Sequence, residues 1–219
     1  MKRSMLHPDP YFLYEQEKRF KEEFKELSDS DLENLLYFVR KIMLLKLITQ
    51  HDTLKSNRFL QGMIYDALFA LKEIKSNERY FYFNIRSLIE NLMRFVIKLK
   101  NDSSMGVIKL EKEFRKYSLC HHQRLVSIYE EACNFVHNNQ LSGLDLEVNY
   151  QEIKSSVRLD SQKQQGCIIV LKDIADAIAE SLIRYFPDHT VNIFPMYIKD
   201  LHYLLGEEYS EHLKKILDQ

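Results

Sequence analysis

The sequence predicts an all-α protein, and two observations support that fold class. Only 5 glycines and 4 prolines occur among the 219 residues, too few for the many tight turns of a β-rich fold. Apolar residues recur at helical spacing along most of the chain. The composition, 45% hydrophobic and 29% charged, is that of a globular protein with a sizeable core. We therefore predict an up-and-down bundle of several helices, with extra helices at the C-terminus.

Polar breaks and capping residues predict where the first helices begin and end. Pro8 and Pro10 prevent a helix before Tyr11. Ser30–Glu33 has the spacing of a capping box, and the largely apolar residues after it predict a central, buried helix. The first four helices are accordingly expected at about 11–27, 30–50, 58–75 and 76–100.

The second half of the chain is predicted to hold helices at about 107–117 and 119–139, followed by an irregular part at 140–166. A short hairpin of Val157–Leu159 with Ile168–Leu171 is one alternative there. In the other, Ile168–Leu171 begins a helix that continues to Phe186. Pro187 is expected to stop that helix, and two short helices at about 191–205 and 207–217 finish the chain.

We predict one helical bundle at 1–145, with a loop and C-terminal helices at 146–219 packed on the same domain. No apolar run approaches the roughly eighteen residues that would span a membrane. The basic first residues lead into Pro8 and Pro10 rather than an apolar segment, so no secretory signal is expected. Cys120, Cys133 and Cys167 form no C-x-x-C pair and are expected to be free thiols. These features predict a cytoplasmic protein without a membrane partner.

Charge and glycine spacing exclude several function classes. The net charge of −1 gives no global positive field, which argues against tight non-specific DNA binding. A local basic strip could still meet RNA. The glycines are all isolated, so neither a P-loop nor a Rossmann fingerprint is present.

A charged stripe marks the fourth helix. Arg86, Glu90 and Arg94 follow one another at i, i+4 and i+8, beside an apolar core face. We expect the three side chains to be half-buried, with Glu90 in reach of both arginines. Two interpretations stay open, a functional site and an ion ladder that only bridges two helices. The aromatic cluster at 80–83 is expected mainly to pack, although it could stack bases or fill a dimer interface.

The helix at about 119–139 ends with the second candidate group. His137 lies at the margin of its apolar face, with Asn134 about one turn before it. An imidazole among amide and carboxylate groups can titrate near neutrality and act as an acid or a base. The alternative is a histidine at the edge of the core that donates one hydrogen bond.

Together, Arg86–Asn91 and Phe135–Asn138 resemble motifs of the HEPN superfamily, the helical-bundle domains named after higher eukaryotes and prokaryotes nucleotide-binding proteins. The resemblance covers roughly 77–139. Many HEPN proteins are metal-independent endoribonucleases, often toxins or abortive-infection effectors of phage defence, with a composite site at a dimer interface. The resemblance therefore implies a HEPN-like core, RNA as a partner, a homodimer, and neither metal nor cofactor.

The resemblance implies a role for each candidate residue. His137 would take the proton of the ribose 2′-OH, Arg86 would neutralise the phosphorane, and Glu90 would hold Arg86. The expected substrate-binding residues are Arg94, Asn134 and Asn138.

One departure from the family pattern matters. HEPN nucleases usually carry an arginine four to six residues before the histidine, and here none stands there. Either Arg86 or Arg94 supplies the cation, or the chain is a silent interaction module that binds an antitoxin or a defence-complex subunit. A third hypothesis is a helical adaptor protein that is unrelated to RNA.

Overall fold

The structure is a computed structural model, and it describes residues 10–50, 53–101, 104–117, 119–137, 159–192 and 198–217. Within those ranges it holds ten helices and no strand, which confirms the all-α prediction. The helices are α1 Pro10–Glu23, α2 Asp29–Ile48, α3 Arg58–Glu73, α4 Glu78–Val96, α5 Val107–Phe114, α6 His122–His137, α7 Ser161–Tyr185, α8 Pro187–Asn192, α9 Ile198–Leu205 and α10 Glu207–Leu217.

Helix α2 is buried on most sides, as its apolar sequence predicts. Its N-cap is Ser28, whose Oγ accepts the N–H of Asp31 at 3.2 Å. The predicted cap at Ser30 was therefore wrong by two residues. Both serines have an acidic residue three positions later, so the capping pattern alone does not choose between them.

Helix α7 lies against α2 and is buried almost as completely. The prediction of loop for 161–166 was wrong, because α7 begins at Ser161 and Asp160 caps it by accepting the N–H of Lys163. Ile168–Leu171 is helical, so the hairpin alternative fails, although Val157 lies outside the described residues. The exposed first turns become helical because each added residue only extends a helix that the buried part already stabilises.

Helices α3, α4 and α6 form neighbouring antiparallel pairs. The Asn91 side chain of α4 donates a hydrogen bond to Asp66 of α3 at 2.8 Å. A Cβ on Gly62 would lie 2.7 Å from the Asn91 amide nitrogen, so glycine permits the close approach of these two helices. On the other side of α4, Tyr82 contacts Glu131 of α6, whereas Glu90 contacts Tyr129. The order of these contacts makes α6 antiparallel to α4.

The remaining helices cover the ends and sides of this core. Pro187 ends α7 as predicted, but it also begins the short helix α8, because proline is well accommodated in a first helical turn. Helices α9 and α10 pack on α2, α7 and α8, and their buried residues join the core of α2 and α7. The predicted domain division at residue 145 lies outside the described residues. No helix within the described ranges is long and apolar enough to cross a membrane.

Candidate functional site

The charged stripe of α4 forms the predicted ion ladder. Glu90 lies between the two arginines, with Arg86 Nε 3.3 Å from Oε1 and Arg94 Nη2 3.7 Å from Oε2. Their side chains are 26% (Arg86), 20% (Glu90) and 16% (Arg94) exposed, so the prediction of half-buried charges with a shared carboxylate is confirmed.

Tyr129 of α6 ties the ladder to the neighbouring helix. Its hydroxyl donates to Glu90 Oε1 at 2.9 Å. Its hydrogen bond with Arg86 contributes most to raising the pKa of that guanidinium. Burial raises the pKa of Tyr129 itself above its ordinary value; the hydrogen bond with Arg86 opposes this rise and the bond to Glu90 adds to it. The ladder therefore bridges α4 and α6, which is the structural role that the sequence left open.

Arg94 has a second anchor away from α6. Its Nη1 donates to the carbonyl oxygen of Met105 at 3.0 Å, in the segment before α5. Its guanidinium thus fixes the loop between α4 and α5 while it pairs with Glu90. A role for Arg94 in binding substrate stays a prediction.

The two ends of α4 and α6 that carry the other candidates lie next to each other. Tyr82 stacks on Phe135 with ring centroids 4.1 Å apart, and its hydroxyl donates to Glu131 at 3.0 Å. Arg79, in the first turn of α4, donates from Nη2 to the carbonyl oxygen of Val136 at 3.4 Å. An arginine of α4 therefore reaches the last turn of α6.

The predicted residues are divided between these two places. His137 is the last residue of α6, Asn134 is exposed on the same helix, and Asn138 lies outside the described residues. The side chain of His137 is also outside the described part, so a contact with Arg86 stays a prediction. Eight residues separate Tyr129 from His137, about 12 Å along a helix. Along the axis, the Arg86 ladder thus lies about two turns from the His137 backbone.

Sequence reasoning missed Arg79 and Tyr129 as candidate residues. Arg79 lies seven residues before Arg86, on the same helix face but outside the regular i, i+4 spacing, and Tyr129 looked like part of the apolar face of its own helix. A signal existed for Arg79, because antiparallel pairing of the two helices would bring the start of one to the end of the other. That pairing could not be read from either helix alone.

A more deeply buried carboxylate lies on α7. Glu180 accepts the backbone N–H of Cys120 at 2.7 Å and that of His121 at 3.3 Å, just before α6. Its side chain, 3% exposed, also pairs with His121 Nδ1 and with Arg184 Nε, each at 2.9 Å. Burial opposes its ionisation, but these hydrogen bonds outweigh burial and lower the pKa of Glu180.

No metal centre is present in the part of the chain that the structure describes, where no group of three or more His, Cys, Asp or Glu residues could hold an ion. No family model, curated protein or solved structure matches the chain. Membership of the HEPN superfamily therefore stays a prediction from two sequence segments.

Proposed function

We propose that the chain is a HEPN-like, metal-independent endoribonuclease or RNA-binding effector of a prokaryotic phage-defence or toxin system, acting in the cytoplasm. One observation carries the proposal. The guanidinium of Arg79 lies 3.4 Å from the Val136 carbonyl, at the end of the helix that carries His137. A cation and a candidate base thus belong to the same end of the α4–α6 pair.

The chemistry needs only those two kinds of group. A neutral His137 would take the proton of a ribose 2′-OH, so that the oxygen attacks the adjacent phosphorus, and the 5′-oxygen would leave as an alcohol after it takes a proton from water. A guanidinium suits the phosphorane because its forked N–H groups match two phosphate oxygens. Arg79, which is exposed, takes the place of the arginine that the family pattern puts on the histidine helix.

The ion ladder then has a positioning role in this proposal. The ladder holds α4 against α6 through Arg86, Glu90 and Tyr129. It thereby keeps Arg79 beside the last turn of α6. Arg86 remains a second candidate for the cation. Substitution of each arginine in turn distinguishes them. Arg79 is exposed, whereas Arg86 is held by Glu90 and Tyr129.

The test is cleavage of total RNA by the purified chain, with and without EDTA. We expect cleavage that EDTA does not abolish and that His137→Ala lowers about 100-fold or more. Arg79→Ala should lower it about 100-fold, while an exposed arginine of α1, in the variant Arg19→Ala, serves as the matched control. Absence of cleavage, or full activity of His137→Ala, would leave no support for the nuclease. RNA binding that Arg79→Ala weakens would retain the RNA-binding effector alone.

A catalytically silent interaction module is the second candidate, and a different observation favours it. Tyr65 and Phe69 of α3 and Tyr80 and Phe83 of α4 are between 50% and 65% exposed. We call these four residues the α3–α4 aromatic face. Exposed apolar side chains on neighbouring helices are typical of protein contact surfaces. The partner would be a second copy of the chain, an antitoxin or a defence-complex subunit.

Mass measurement in solution tests this second function. A homodimer is expected, and the double substitution Tyr80→Ser with Phe83→Ser should convert it to a monomer. The control Ile108→Ser removes an apolar side chain of α5 that is more exposed than either aromatic residue. A wild-type monomer that co-purifies with one stoichiometric protein, without RNase activity, would favour the heteromeric module.

A further inference from the structure

A cleft lies where the segment before α3, the end of α4 and the junction of α7 with α8 meet. Its volume is about 250 Å³. Leu54, Leu99 and Phe186 contribute apolar surface, and none of the described residues that line the cleft is acidic. Its polar groups come from Thr53, Lys98 and His189, together with Asn57.

Lys98 has an unusual backbone for a lysine. Its φ is 54°, in the left-handed region that favours glycine. It follows the C-cap of α4, where its N–H bonds the Phe95 carbonyl and the N–H of Leu99 bonds the Arg94 carbonyl, each at 3.0 Å. These bonds form a Schellman motif, whose left-handed position is most often glycine. A residue with a long cationic side chain therefore occupies a position where the backbone conformation favours glycine, which has no side chain.

The Lys98 ammonium faces an aromatic ring rather than a carboxylate. Its Nζ lies 5.3 Å from the centroid of Phe186, whose ring stacks on Phe95 at 4.2 Å. Within the described residues, no carboxylate lies at ion-pair distance from this ammonium. The ammonium of Lys98 therefore lies on an apolar surface at the cleft.

Three more polar side chains line the cleft, those of Thr53, Asn57 and His189. His189 Nε2 and Thr53 Oγ1 share a hydrogen bond of 3.1 Å. Asn57 uses its Oδ1 to accept the N–H groups of Phe59 and Leu60, which leaves its NH₂ group as a donor. The cleft therefore combines a cation, polar N–H and O–H groups and apolar walls.

We propose that this cleft binds a small organic anion, a carboxylate or a phosphate ester with an apolar body. Lys98 pairs with the charged end, Asn57 donates to it, and the apolar body rests against Leu54 and Leu99. A volume of about 250 Å³ accommodates a single substituted ring rather than a polymer. This proposal does not depend on the proposed function, because none of these residues belongs to the α4–α6 site.

The experiment is a titration of the full chain, followed by two-dimensional NMR, with four probes: phenyl phosphate, benzoate, inorganic phosphate and benzyl alcohol. We expect an aromatic anion to bind saturably and to shift the amide signals of Thr53, Lys98 and His189. Inorganic phosphate and benzyl alcohol, which each lack one half of the ligand, should bind at least about tenfold more weakly. The ratio of phenyl phosphate to benzoate affinity then separates the two anion classes.

Substitution of Lys98 decides whether the cleft is the site. Lys98→Gln should weaken binding about tenfold, whereas Lys55→Gln, an exposed lysine near the cleft, should leave it unchanged. Lys98→Gly relieves the positive φ, so this chain should stay folded while it loses the anion. Saturable binding that neither Lys98 substitution weakens, or no saturable binding of either aromatic anion, overturns the proposal.

Discussion

Glu90 and Glu180 are both carboxylates held at helix interfaces, but they are held in different ways. Glu90 is 20% exposed and lies between Arg86 and Arg94 of its own helix, with Tyr129 as its contact across the interface. Glu180 is 3% exposed and binds two backbone N–H groups that lie 59 and 60 residues away in the sequence. Each has an arginine four residues from it on its own helix.

Glu90 is stabilised mainly by neighbours on its own helix, whereas Glu180 is stabilised mainly by groups that the tertiary fold brings to it. A ladder on one helix face keeps water near its charges, so each ion pair contributes little to folding. A carboxylate sealed beneath a loop replaces its whole hydration shell with protein donors, so the loss of its charge leaves those donors unsatisfied. We therefore expect the molecule to tolerate damage at Glu90 far better than at Glu180.

The largest effect is expected for Glu180→Gln, which keeps the shape but removes the charge. We expect a loss of about 3 kcal/mol in the free energy of unfolding, measured by urea denaturation at pH 7. Glu211→Gln, an exposed residue of α10, is the control and should change it little. Equal stability of these two variants would remove the contrast with Glu90.

The same carboxylate predicts a pH dependence. The folded-state pKa of Glu180 lies below its ordinary value of 4.5, so its contribution is complete above about 4.5. It is lost as the pH falls through the lower folded-state value. Glu180→Gln should therefore lose less stability on acidification than the wild type does, and parallel curves would contradict this.

Lys41 extends the comparison to a buried amino group whose hydrogen-bond partner is a carbonyl. Its Nζ donates to the Leu204 carbonyl at 2.6 Å, and burial lowers the pKa of Lys41 from 10.5 to about 7. Unfolding above pH 7 then takes up a proton, so stability should rise toward pH 9.5 by up to about 1.4 kcal/mol per pH unit. Lys41→Met should remove that slope and the exposed control Lys46→Met should retain it, in denaturation at several pH values.

Glu90→Gln should have a smaller effect, about 1 kcal/mol, because the ladder is partly hydrated. A double-mutant cycle with Arg86→Gln should give a coupling free energy below about 1 kcal/mol. A loss as large as that of Glu180→Gln would show that the ladder is as dry as the α7 site. RNA cleavage by Glu90→Gln, measured beside its stability, separates positioning from folding.

The smallest effect is expected for Tyr129→Phe, which removes one hydroxyl from the link between α4 and α6. A loss of about 1 kcal/mol or less in the free energy of unfolding is expected. Tyr65→Phe, on the exposed side of α3, is the control. If Tyr129→Phe lowers RNA cleavage without lowering stability, the tyrosine helps to position the catalytic end of the pair.

The sequence predicted some parts of the molecule well because those parts depend on near neighbours. The burial of α2, the start of α4, predicted near 76 and found at Glu78, and the ladder around Glu90 follow from periodicity, a polar helix start and i, i+4 spacing. The wrong predictions lie where several local patterns compete. Ser28 and Ser30 offer similar caps, and the polar residues 161–166 can be loop or the free end of a helix.

The residues of the candidate site likewise fall into those that local spacing predicts and those that only helix packing reveals. Spacing on α4 and α6 was enough to select Arg86, Glu90 and His137, since each helix orders its own side chains. The selection of Arg79 needed the antiparallel register that brings it to Val136. That register comes from the packing of Tyr82 on Phe135, between residues more than fifty positions apart.

The sequence by itself determined the all-α class, most helix positions and the half-buried charges of α4. It could do so because helical periodicity, capping and i, i+4 pairing act within a few residues of chain. Only the tertiary structure decided which carboxylate is sealed, which arginine meets the end of α6, and how Lys98 comes to face Phe186. Those outcomes depend on the relative placement of distant helices, and burial of the shared core sets that placement.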